Sequence, residues 1–272
     1  MREGIFINNI ALAFLMTTLA GLSTGIGSFI TLFTKKANPK FLSVSLGFSA
    51  GVMIYVSMVE IFAEAESILS AAKGAKQGAI LTVVGFFSGM LLIALIDKLI
   101  PKDKNPHELK KAENIKDIMP AKSRLKRLGI FTAIALAIHN FPEGLATFVS
   151  ALREPTIAIP IVVAIAIHNI PEGIAVAYPI YYATGSRRKA FFYSLASGLC
   201  EPLGALFGYL VLMPIMNDIV FGIVFASVAG IMVFISLDEL LPAAREYGEH
   251  HLAIYGLVAG MVVMAISLIL FI

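Results

Sequence analysis

Apolar runs long enough to cross a bilayer dominate this chain and decide what it can fold into. A helix of about 20 apolar residues spans the hydrocarbon layer of a membrane. Runs of that length or near it recur at about 5–33, 41–65, 78–100, 128–151, 157–183, 190–213, 217–242 and 252–272. Of the 272 residues, 58% are hydrophobic and 14% charged, whereas a soluble domain is about one quarter charged. A soluble chain with an oversized core would not keep its charges out of run after run of this length. In lipid the backbone must satisfy its own hydrogen bonds, so these runs read as helices. The expected fold class is all-α integral membrane, one domain over 1–272 with eight transmembrane helices. The first run is too long for a signal-peptide core and shows no cleavage site, so it reads as a retained span.

The breaks between runs are short and polar: KKANPK (35–40), REP (153–155), GSRRK (185–189) and REYGEHH (245–251). The one long break, 101–127, carries charges of both signs and few apolar residues, so a mobile loop is expected there. Sorted by side, 17 Lys and Arg residues fall with the breaks after spans 1, 3, 5 and 7, and 4 (Arg2, Lys73, Lys76 and Arg153) fall on the other side. The richer side is cytoplasmic by the positive-inside rule. Both termini are then extracytoplasmic, in a multi-pass protein of the cell membrane.

Polar residues interrupt the runs in a pattern. Residues 138–144 read IHNFPEG in span 4, and residues 167–173 read IHNIPEG in span 5. His139 and Glu143 are four apart and share a helical face, as do His168 and Glu172. Pro142 and Pro171 cannot donate to the carbonyls of Ile138 and Ile167, so each is expected to kink its helix and free an acceptor beside the polar cluster. Ionisable groups at membrane depth are costly and usually functional. Two imidazoles, two carboxylates and the amides of Asn140 and Asn169 form a nitrogen and oxygen set. It suits Zn2+, Fe2+, Mn2+, Co2+ or Cd2+ and not Cu(I), which wants sulfur. Two bridging carboxylates could hold two metals. Glu201, in GLCEPLG of span 6, is a third intramembrane acid, either a ligand or a helix contact.

Fainter repeats surround this pair. AGVMIYVSMVE (50–60) recurs as AGIMVFISLDE (229–239) at an offset of 179. Gly21 and Gly27 recur as Gly198 and Gly204, offset 177, and GFFSGM (85–90) resembles GLVAGM (256–261), offset 171. An odd number of spans per repeat inverts the second copy, so a 3+2+3 arrangement is expected, with spans 1–3 and 6–8 around the central pair 4/5. Transporters of this build place the site near the midplane at the repeat interface. Glu60, toward the outer end of span 2, reads either as an interfacial acid or as an entrance. Asp97, Asp238 and Glu239, toward inner ends, read as interfacial acids or as an exit. Met53 reads by composition as core. His107, His250 and His251 read as solvated.

The single cysteine, Cys200, excludes an intrachain disulfide. No GxxxxGK[ST] motif is present, so no nucleotide is expected, and no basic stripe interleaved with aromatics points to nucleic acid.

The paired HN-x-PEG motifs in consecutive spans, the G-x-x-E-P-x-G of span 6, the AG-x-M of span 2 and the eight-span count resemble the ZIP (Zrt/Irt-like) metal transporters over essentially the whole chain. The resemblance implies uptake of divalent metal into the cytosol through a binuclear site. One metal would be held by His139, Glu143, His168 and Glu172 with Met53 alongside. The other would be held by Asn140, Asn169 and Glu201, with the two glutamates of spans 4 and 5 as bridges. It also implies a homodimer and no prosthetic group, the metal being the transported substrate. The long loop of many relatives is His-rich, whereas here it holds His107 alone. Two other readings are a membrane di-metal enzyme and a haem-binding membrane protein. The first would need an open coordination position and an activated water, and HE-x-x-H is absent. The second leaves the carboxylates, prolines and repeat unexplained.

Overall fold

The computed structural model describes residues 2–33, 39–99, 121–153, 155–247 and 250–270. Every element among them is helical, as a backbone in lipid requires. In chain order they are α1 (Arg2–Phe33), α2 (Pro39–Val56), α3 (Phe62–Lys73), α4 (Ala75–Leu99), α5 (Ala121–Arg153), α6 (Pro155–Thr184), α7 (Arg187–Gly198), α8 (Cys200–Phe207), α9 (Asp218–Ile235), α10 (Leu241–Tyr247) and α11 (His250–Leu270). Two π-helical turns, Ser57–Ile61 and Ser236–Leu240, join α2 to α3 and α9 to α10. A third, Gly208–Leu212, follows α8.

Among the described residues, 7 helical stretches are long and apolar enough to cross a membrane: Asn9–Thr31, Lys40–Lys73, Ala75–Ile96, Ile159–Thr184, Arg187–Ile215, Asp218–Arg245 and His251–Leu270. The remaining expected run, 128–151, lies on α5 and is not among those 7. α5 begins at Ala121, inside the stretch expected as loop. Residues 101–120, with His107, lie outside the described residues.

Turn chemistry sets the short connections. Gly74 (φ 85) and Gly185 (φ 67) close α3 and α6 in the left-handed region, where a side chain would be strained. The Asn217 Oδ1 accepts from the N–H groups of Ile219 and Val220 at 3.0 and 3.1 Å, capping α9.

Packing relies on small residues, as helix association in lipid does. A Cβ on Gly27 of α1 would collide with the Ile170 carbonyl of α6, and one on Gly173 with the Thr24 carbonyl of α1. The same relation holds between α5 and α8, where Gly204 faces the Phe141 carbonyl and Gly144 the Glu201 carbonyl. Gly51 of α2 abuts the Leu257 carbonyl of α11, and Gly230 of α9 abuts the Phe86 carbonyl of α4. Gly260 and Gly89 complete those two crossings against Phe48 and Ser227. Backbones therefore touch, and the larger side chains (Phe148, Phe225, Leu46, Ile165) fill one core between them.

Candidate metal centre

The central helices α5 and α6 pack against each other, α1 packs on α6, and α8 packs on α5. Their crossings bury Asn140, Glu143, His168, Asn169, Glu172 and Glu201 completely, and Met53 of α2 is also fully buried. Pro142 and Pro171 lie inside α5 and α6, in the turn that carries these groups. The side chain of His139 lies outside the described residues, although its backbone belongs to α5.

The Asn pair is held by matching contacts. Asn140 Nδ2 donates to the Ser197 carbonyl of α7 at 3.0 Å, and Asn169 Nδ2 donates to the Ala20 carbonyl of α1 at 3.0 Å. With each NH2 so engaged, the two Oδ1 atoms are the remaining polar ends. Neither has a hydrogen-bond partner among the described residues. Two buried amide oxygens without a donor leave a polar demand that a cation would meet. Asn169 Nδ2 also donates to Glu201 Oε1, while Glu201 Oε2 has no partner among the described residues.

The acids are drawn together. His168 Nε2 stands 2.6 Å from Glu143 Oε1 with both side chains buried. That is an ion-pair distance between the two groups. Two ligands on one tetrahedral zinc, at about 2.1 Å each, stand about 3.4 Å apart. A metal bound by both would part the pair by about 0.8 Å. Glu172 Oε1 accepts from Ser49 Oγ of α2 at 3.2 Å. Glu143, Glu172 and Glu201 act electrostatically on one another, and Glu239 reaches Glu172 in the same way. Three buried carboxylates so close concentrate negative charge that cations would offset.

The flanking acids sit on other elements, Glu239 alone among them acting on Glu172. Glu60 is half-buried on the first π turn, Glu239 is half-buried on the second, and Asp238 beside it is exposed. Asp97 lies near the end of α4 with its side chain outside the described residues. Among the described residues no group of three His, Cys, Asp or Glu side chains is arranged to hold a metal. The described contacts are pairs and amide oxygens. Sequence reading missed Ser49 and the two carbonyls that fix the amides. The serine had a signal, since Ser45, Ser49 and Met53 recur every four residues.

Comparison with known proteins places this arrangement. The sequence model of the ZIP zinc transporter family matches residues 98–268. The zinc transporter ZupT of Streptococcus mutans is 67% identical over 260 residues, covering 96% of this chain and 97% of that protein. The zinc transporter ZupT of Clostridium perfringens is 60% identical over 285 residues, with 100% of both chains covered. That of Lysinibacillus sphaericus is 61% identical, covering 96% of this chain and 98% of its own length. These relatives are transporters and not enzymes, which sets aside the di-metal enzyme and the haem protein. With a family match over most of its length and relatives aligned nearly end to end, the chain belongs to the ZIP family of zinc transporters.

Proposed function

We propose that this protein carries divalent metal, zinc foremost, into the cytosol through a two-metal site between α5, α6 and α8. The burial of three carboxylates beside two amide oxygens whose nitrogens are tied elsewhere carries this reading. Two divalent cations would offset the three acids. One position would use His139, Glu143, His168 and Glu172 with Met53 alongside. The other would use Asn140, Asn169 and Glu201, with Glu143 and Glu172 as bridges. The named function of the relatives supports zinc. The nitrogen and oxygen donors would also accept iron(II), manganese, cobalt or cadmium.

The architecture in this reading is eight spans in a 3+2+3 order, with both termini outside and the protein a homodimer in the cell membrane. Its support is the correspondence of the close contacts. Gly27 against Ile170 becomes Gly204 against Phe141 when α1 is shifted by 177 and the central motif by 29. Gly51 against Leu257 becomes Gly230 against Phe86 under offsets of 179 and 171. The two π turns also differ by 179. Glu60 would gather cations at the outer mouth. Asp97, Asp238 and Glu239 would receive them at the inner one.

Zinc flux into proteoliposomes tests the transport reading, and anomalous scattering at the zinc edge from metal-soaked crystals tests the site. Two peaks between α5, α6 and α8, with uptake lost in Glu172→Ala, are expected. Peaks elsewhere, or wild-type uptake in that variant at equal expression, would remove this assignment.

A further inference from the structure

The two halves match at their glycines and π turns but differ on the helix face nearest the centre. On α2, Ser45, Ser49 and Met53 recur every four residues and so share one face, all of them buried. The positions 179 later on α9 are Val224, Val228 and Met232. The methionines match and the serines do not.

Ser49 also differs from the other hydroxyl donors described, which bond to backbone carbonyls, Ser43, Ser194 and Ser227 doing so across helix boundaries. Thr17, Thr31, Thr82, Thr147 and Ser236 each donate to the carbonyl four residues earlier in their own helix. That is the ordinary outlet for a hydroxyl in an apolar helix. Ser49 Oγ donates instead across the helix boundary, to Glu172 Oε1 at 3.2 Å, with both side chains fully buried. The donor comes from a helix that brings none of the buried acid, amide and imidazole groups of the centre. The oxygen it engages is one of the two that this carboxylate can offer to a cation.

We propose that Ser49 is a positioning residue for the metal centre, holding the Glu172 carboxylate so that its second oxygen is presented to the metal. The assignment rests on the reading of Glu172 as a metal ligand. Hydrogen-bond partners of this kind orient a ligand before the metal arrives, and losing one commonly weakens metal binding about 10- to 100-fold. Valine at 228 cannot donate, so the hydroxyl serves the motif of α6, and Glu143 faces His168 instead.

The test uses the full chain purified in detergent and then reconstituted. Zinc affinity is measured by titration against a competing chelator, and uptake is measured over a range of zinc concentrations. Ser49→Ala should weaken zinc binding about 10-fold and raise KM more than it lowers kcat, while Ser49→Thr, which keeps the hydroxyl, should stay within about threefold of the parent. A packing role predicts the opposite order, because the added methyl of threonine would disturb a filled site more than alanine does. Equal affinity in Ser49→Ala and the parent, or a larger loss in Ser49→Thr than in Ser49→Ala, overturns the proposal. Glu172→Ala separates the two failures. If it keeps full affinity, the ligand reading falls and the role of Ser49 falls with it. If it loses affinity while Ser49→Ala does not, the role of Ser49 alone is wrong.

Discussion

Replacing Gly27 by alanine should loosen the seat of α1 on α6 and, through it, the metal centre. A Cβ there would collide with the Ile170 carbonyl oxygen and stand 2.8 Å from its carbon and 3.0 Å from the Ile174 nitrogen. Ordinary contacts between heavy atoms lie at about 3.5–4.0 Å, and the oxygen stands nearest of the three, so the helices must part by roughly 1–2 Å. A shift of that size takes the bond from Asn169 Nδ2 to the Ala20 carbonyl, now 3.0 Å, beyond hydrogen-bond reach. Overpacking of this kind costs about 1–3 kcal/mol. Gly25, two residues away on the same helix, supplies the reference. A Cβ on it would meet Leu195 Cδ1 at 3.6 Å and Phe191 Cε2 at 3.8 Å, which is ordinary contact. Both substitutions gain the helical preference of alanine over glycine, about 0.5–1 kcal/mol, and this cancels in their difference. Gly27→Ala should therefore be less stable than Gly25→Ala by about 1–3 kcal/mol. Thermal unfolding in detergent measures the difference, and zinc uptake into proteoliposomes measures its consequence. Gly25→Ala should transport like the parent and Gly27→Ala should not. Equal unfolding and equal uptake in the two variants would refute the reasoning from backbone contact.

Asn140→Leu and Asn169→Leu keep the branched outline but remove the amide oxygen and its donating nitrogen. Each should weaken zinc binding, seen in chelator competition, while the parent fold is retained in circular dichroism. Metal needs neutral imidazole and ionised carboxylate, so protons compete with it; zinc affinity should fall as pH is lowered and recover when it is raised. The sign follows from the donor chemistry, since His168 and Glu143, 2.6 Å apart, bind a cation only when deprotonated. Glu60→Gln should slow uptake at low zinc and leave equilibrium affinity unchanged, since this residue sits on the π turn and not among the central groups. Ser43→Ala removes the 2.6 Å bond to the Ala244 carbonyl. It should lower the unfolding temperature, by about 1 kcal/mol in stability, with zinc affinity unaltered.

Much of this was legible in the sequence, for identifiable reasons. The runs announce helices because lipid leaves the backbone no other open choice. The HN-x-PEG copies announce a site because His, Asn and Glu have no structural reason to sit together at that depth. Gly21, Gly27, Gly198 and Gly204 could be paired by offset, and the structure shows why they are glycines: each meets another helix's backbone. The rest depends on tertiary contact. Nothing in SMVEI or SLDEL marks a π turn, since a widened turn uses the same residue types as a regular one. The four-residue spacing of Ser45, Ser49 and Met53 marks a face, but a serine in an apolar helix usually bonds to its own backbone, so its partner Glu172 was not legible. The amide orientation of Asn140 and Asn169 depends on carbonyls of α7 and α1 that are distant in sequence.

The glycine contacts also divide the molecule. Among the described residues, every backbone-to-backbone seat joins α1, α5, α6, α7 and α8 to one another, or joins α2, α3, α4, α9 and α11 to one another. None crosses between the two sets, although α2 lies against α6 and α9 against α5. A seated helix cannot slide without driving a carbonyl into its neighbour. Along the boundary between the sets, no described glycine is seated on a backbone of the other set. Sliding along this boundary would drive no glycine-seated carbonyl into its neighbour. The carboxylates of α5, α6 and α8 lie on one side of it, and the hydroxyl of Ser49 reaches over from the other.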